Sequence, residues 1–183
     1  MHKTLTGAAV LSAAALTLGL VAPANAARYR QDDPQETSHG YDLLAVQVRN
    51  AEHKVVVTTR HHNLRRDPSS GSGGAVYIDT DPGDKGPEYV FVGGYYEGTD
   101  YQLLHTDGFA RKTWGKPATG RYRMTVDYQA NTVRMVMARK TLGHPDALRV
   151  AVRASGTRSD GTSKGLVDWL GRPRSFTPWV ARG

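Results

Sequence analysis

The 183-residue chain has no cysteine. That excludes disulfides, thiolate metal sites, iron–sulfur clusters and cysteine nucleophiles together. The fold must therefore be held by packing, with any bound ion carried by oxygen or nitrogen ligands. Apolar residues spaced three and four apart, the mark of amphipathic helices, are nearly missing. Glutamate is scarce, with only Glu36, Glu52, Glu88 and Glu97, and these offer no recognisable glycosidase pair. The one Gly-x-Ser-x-Gly string, Gly161-Thr162-Ser163-Lys164-Gly165, stands in a chain patterned as antiparallel strands, without the α/β setting that a nucleophile elbow needs. Acidic residues are outnumbered, 17 against 24 Lys and Arg, for a formal net charge of +7. Such a balance attracts polyanions, although a GC-rich coding sequence produces the same arginine bias without functional pressure.

Long hydrophobic runs are missing everywhere except near the start. Lys3 gives a short basic region, Leu5 to Val21 carries no charge, and Ala24-Asn25-Ala26 is a small-x-small cleavage pattern. Residues 1–26 thus read as a signal peptide, and the expected location is secreted, extracellular. The polar RYRQDDPQE that follows argues against a membrane span. Residues 27–40 lack an apolar period and read as a flexible leader. Residues 41–183 read as one domain, long enough to bury a core.

What is present is alternation. Tyr41–Arg49 and Lys54–Leu64 read as a hairpin. Arg65–Gly74, rich in Ser and Gly, reads as a long flexible loop. Ala75–Thr80 alternates, whereas Tyr89–Val92 is continuously apolar, as in a strand covered on both faces. Further strands are expected around Leu103-Leu104, at Phe109–Trp114, and at Leu148–Ser155. Arg121–Ala138 is the cleanest hairpin. Tyr122, Met124, Val126 and Tyr128 share one face there, and Val133, Met135 and Met137 face inward on the return. Arg139–Gly143 and Gly165–Leu170 read as short helical pieces, Ser159–Gly161 as a turn, and Phe176–Val180 as extended. Eight or nine short strands between turns predict an all-β, antiparallel, jelly-roll-like sandwich with few or no helices.

Three constellations carry candidate chemistry. Asp79, Asp81, Asp84 and Glu88 crowd the loop around Pro82-Gly83 and supply the hard oxygen ligands that calcium takes. Ca2+ is accordingly the one cofactor the sequence suggests. The spacing is not that of an EF-hand, Lys85 lowers the field, and a solvated, self-capped turn uses the same residues. The aromatics Tyr77, Tyr95, Tyr96, Tyr101 and Trp114 cluster near this hairpin and form a candidate platform for stacking sugar rings; ordinary strand packing also favours them. Arg49, Arg60, Arg121, Arg123, Arg134, Arg149 and Arg153 occupy outward strand positions, and make a basic face if their strands share a sheet. His61-His62 cannot chelate one metal, because adjacent strand residues point to opposite faces.

The order of a strand and hairpin, then Val-Tyr-Ile-Asp-Thr-Asp-Pro-Gly within Ala75–Gly83, the hairpin Tyr122–Met137, and Leu142-Gly143 resembles β-sandwiches of the DOMON-like superfamily, including family-nine carbohydrate-binding modules. The chain also looks like small exported actinobacterial proteins of unknown function. The resemblance implies a sandwich that binds a ligand, sugar or haem in related domains. Met124, Met135 and Met137 fall at inward positions and read as core rather than haem ligands. The expected function is a secreted, non-catalytic binding domain for carbohydrate or an anionic cell-wall polymer. The alternatives are a protein-interaction module, such as an inhibitor or accessory factor of a secreted enzyme, and then a hydrolase.

Overall fold

The computed structural model describes residues 27–37, 39–157 and 166–183. The signal-peptide reading at 1–26 and the turn expected at 159–161 lie outside the described residues. Twelve strands occur among those described: β1 (Ala27–Asp32), β2 (Leu43–Asn50), β3 (Lys54–His61), β4 (Gly73–Asp79), β5 (Tyr89–Gly94), β6 (Tyr101–Thr106), β7 (Trp114–Pro117), β8 (Tyr122–Asp127), β9 (Thr132–Ala138), β10 (Ala147–Gly156), β11 (Leu166–Trp169) and β12 (Val180–Ala181). The smaller sheet runs β1-β2-β3-β9-β8 and the larger runs β11-β10-β4-β5-β6-β7, with β12 also paired to β10. Every pairing is antiparallel. The chain is an all-β sandwich, and its only helical pieces among the described residues are three short 3-10 turns.

Alternation explains the layers. In the smaller sheet Val46, Val48, Val55, Val57, Val133, Met135 and Met137 point inward, each fully buried. They meet Val76, Ile78, Phe91, Leu103, Val150 and Val152 of the larger sheet in one core. Each such side chain contributes about 1.5–3 kcal/mol by leaving water. The three methionines are core, as their strand spacing predicts. Asp127 accepts hydrogen bonds from the Gln129 and Ala130 N–H groups, both at 2.9 Å, and closes the β8–β9 turn.

Four expectations are corrected. The leader is not free chain throughout: β1 pairs with β2 from Ala27↔Asn50 to Asp32↔Ala45. Its Tyr29 packs on the main core, but one large apolar residue in six is too weak a period to read. Leu166–Trp169 is strand rather than helix, and pairs with β10; four residues do not separate the two periods. Phe109–Trp114 holds a 3-10 turn at Arg111–Thr113, and the strand begins only at Trp114. The Arg65–Gly74 loop is braced by a 3-10 turn at Pro68–Ser70, where Asp67 caps the Ser69 N–H at 2.8 Å, and Ser72 is fully buried.

Candidate binding groove

The larger sheet has a second apolar cluster on its outer face, made by Ala75, Tyr77, Val90, Leu104 and Ala151. Phe109, Trp114, Trp169 and Phe176 pack over it from β7, β11 and the connecting loops. The continuous apolar run in β5 follows directly: Val90 faces this outer cluster and Phe91 the main core, and both are fully buried.

Beside the cluster lies a groove of about 1260 Å³. Its floor is a strip of paired glycines, Gly73↔Gly94 and Gly74↔Gly93, so a ligand there can approach bare backbone. On the opposite side of the strip the fit is tight, since a Cβ on Gly74 would sit 2.0 Å from the Tyr95 hydroxyl. Aromatic walls rise along one flank. The Tyr77 and Trp169 rings stack at 5.9 Å and 15°, and Phe109 meets Tyr77 at 4.8 Å. The Tyr77 hydroxyl donates to the Phe109 carbonyl at 2.9 Å. The Trp114 indole N–H stands near that hydroxyl but meets no acceptor at hydrogen-bonding geometry.

Charge in the groove has one sign. Arg111, Arg153 and Arg174 line it, and no Asp or Glu does so among the described residues. Burial raises the pKa of Tyr77, while the positive charges of Arg153 and Arg174 act on the same hydroxyl in the opposite sense. Arg111 lies over the Trp114 ring at 6.0 Å.

The five aromatics expected to form one platform divide between two faces. Tyr77, Tyr96 and Trp114 line the groove. Tyr95 is fully buried in the main core against His61, with ring centroids 5.0 Å apart. Tyr101 packs inward on Phe91 at 5.9 Å. Tyr95 and Tyr96 separate because successive residues of an extended chain point to opposite sides. Tyr95 has no partner for its hydroxyl, and burial pushes its pKa upward. Phe109, Trp169, Arg111 and Arg174 also line the groove, without a local signal in the sequence. Pairing of Trp169 with Arg153 across β10–β11 brings the tryptophan in, and no local pattern announces it.

The four acids of the β4–β5 loop do not converge, and no group of three or more potential metal-ligating side chains occurs among the described residues. Each carboxylate has its own work. Asp79, fully buried, holds Arg149 at 2.7 Å. Arg149 is also clamped between Phe176 and Trp179, 4.7 Å from each ring centre. Glu88 accepts from the Thr80 N–H at 2.5 Å and the Thr80 hydroxyl at 2.9 Å. Asp81 caps the Gly83 N–H at 2.8 Å, and Asp84 the Lys85 N–H at 2.6 Å. The loop is a self-capped turn.

No model of a known protein family matches this chain, and no curated protein matches it significantly. The class of the protein therefore rests on its geometry: an antiparallel β-sandwich with an aromatic, arginine-lined groove on one outer face.

Proposed function

We propose that this chain is a non-catalytic binding domain of an exported protein, and that its groove takes an acidic carbohydrate or anionic cell-wall polymer. The observation that carries the reading is the joining of aromatic walls with three arginines and no carboxylate in one groove. Aromatic faces suit the apolar C–H face of a sugar ring. Guanidinium forks suit its carboxylate or phosphate groups. The absence of a carboxylate among the described lining residues leaves no acid and base positioned for glycoside hydrolysis, which supports binding over turnover. The N-terminal pattern of Lys3, the uncharged Leu5–Val21 run and Ala24-Asn25-Ala26 supports export.

Retention on an insoluble acidic wall polymer tests the proposal. The protein should be retained at low salt and released as salt rises. The double variant Arg153→Gln with Arg174→Gln should weaken retention about tenfold, equal to about 1.4 kcal/mol, and flatten the salt dependence. Trp114→Ala should weaken it on acidic and neutral glycans alike. Recovery of a single protein partner from the medium, with no retention on either polymer, would replace this reading with an interaction module.

A further inference from the structure

The outer face of the smaller sheet carries a separate cluster that the groove does not use. Register places its members. Arg28 of β1 lies directly opposite Arg49 of β2, which lies opposite Val56 of β3. In the next row of the same face Gln47, Thr58 and Arg134 stand side by side across β2, β3 and β9. Neighbouring strands are about 4.8 Å apart, so these side chains converge on one patch. They line a depression of about 210 Å³. It holds three guanidiniums, two neutral hydrogen-bonding groups and no acid. The Arg49 Nε is buried there without any hydrogen-bond partner, which is costly for a charged group.

We propose that this depression is a phosphate subsite, and that its occupant is a phosphate-bearing polymer. A tetrahedral oxyanion brings more acceptor oxygens than a carboxylate and can engage several guanidinium forks at once. It would also relieve both the mutual repulsion of the arginines and the unpartnered Arg49 Nε. Gln47 and Thr58 add uncharged donors to the lining. The face extends beyond one anion: Arg30, Arg60 and Arg123 occupy its neighbouring exposed positions. Arg30 is paired with Asp32 at 2.5 Å, which leaves Arg60 and Arg123 to continue the track. A single ion needs no such extension, whereas a chain of phosphates does. None of the outward positions in these strands is aromatic, so bases would have nothing to stack on, unlike in single-strand nucleic-acid grooves. The site lies on the far side of the core from the aromatic groove and stands whether or not that groove binds sugar.

The probes are inorganic phosphate and linear polyphosphate, followed by NMR of the arginine Nε–Hε groups. Phosphate should move the Arg49 signal saturably, and chloride at equal ionic strength should not. Polyphosphate should bind at least about tenfold more tightly than phosphate through its repeated charges. Arg134→Gln, at an exposed position, should weaken both roughly tenfold at unchanged melting temperature, and Arg134→Lys should restore only part of the loss because the fork is gone. Lys116→Gln, which removes one exposed charge outside both the depression and the groove, should leave both affinities unchanged. Equal responses to phosphate and chloride would overturn the subsite. Equal affinity for phosphate and polyphosphate, or tighter binding of a single-stranded oligonucleotide, would overturn the polymer.

Discussion

The two outer faces of the sandwich start from the same strand alternation and end differently. Outward positions of the larger sheet carry Ala75, Tyr77, Val90, Leu104 and Ala151, and loops close over them. Outward positions of the smaller sheet carry Arg28, Gln47, Arg49, Thr58, Arg134 and Arg123, and only Val56 and Ala45 are buried among its outward residues. One face became a second core with a groove at its margin; the other stayed solvated and charged. An outer sheet face is thus defined by what the following loops bring to it as much as by its own residues. Antiparallel sheets permit either outcome.

The strongest way to break this comparison is to empty each layer in turn and measure urea unfolding. Phe91→Ala, in the main core, should cost about 3–5 kcal/mol. Tyr77→Ala should cost nearly as much, about 3 kcal/mol, if the outer cluster is a true second core. Arg134→Ala should stay within about 0.5 kcal/mol, as for an exposed residue without a special contact. A loss at Tyr77 as small as that at Arg134 would mean that the covering loops contribute little.

A second test sets the centre of the sandwich against its edge, using pH. His61 is fully buried, bonded to the Thr59 hydroxyl at 2.8 Å, and burial lowers its pKa from 6.5 to about 4. The unfolded chain therefore binds a proton first. Its contribution is fully present above pH 6.5 and is lost as pH falls from there towards 4, by an amount on the order of 3 kcal/mol. Asp168, on edge strand β11, accepts from the Leu43 N–H at 2.6 Å, and burial raises its pKa from 3.8 to about 6. Here the folded chain binds the proton first, so a cost present above pH 6 is relieved as pH falls towards 3.8. The two oppose each other across the same range. In His61→Gln, stability should rise on acidification from pH 6 to 4. In Asp168→Asn, whose amide oxygen can still accept from Leu43, it should fall more steeply than in the wild type. Parallel pH profiles in the two variants would refute the assignment.

The smallest effect concerns two adjacent residues. Tyr95→Phe removes a buried hydroxyl that has no partner and should be neutral or stabilising by up to about 1 kcal/mol, with ligand retention unchanged. Tyr96→Ala should leave the melting temperature alone and weaken retention on glycans. The reverse pattern would place the binding face on the wrong side of the strand.

Much of this was legible in the chain. The β4–β5 pair, the β8–β9 hairpin with its inward methionines, and the apolar run of β5 all rest on a period of two within a few residues, where side-chain direction is a local property. The β1 strand was hidden because its single large apolar residue, Tyr29, finds its core contact only after pairing with β2. The aromatic platform was half legible. Tyr77, Tyr96 and Trp114 reach the groove, but Tyr95 and Tyr101 turn inward, and Trp169 and Arg174 come from a distant segment. The acidic loop suggested calcium because four carboxylates are close in sequence. Closeness in sequence does not aim them at one point, and Arg149, some seventy residues on, claims Asp79.

The arginines mark the boundary between the two kinds of information. Alternation alone put Arg49, Arg60, Arg123, Arg134, Arg149 and Arg153 at outward positions, because each strand dictates its own faces. Which of them share a surface is decided by pairing between strands far apart in the chain. Register gathers Arg49, Arg60, Arg123 and Arg134 on the smaller sheet with Arg28. It sends Arg149 to an ion pair with Asp79 and Arg153 to the groove beside Trp169. Long-range pairing is settled by how well whole apolar faces close on one another, and no single segment contains that information.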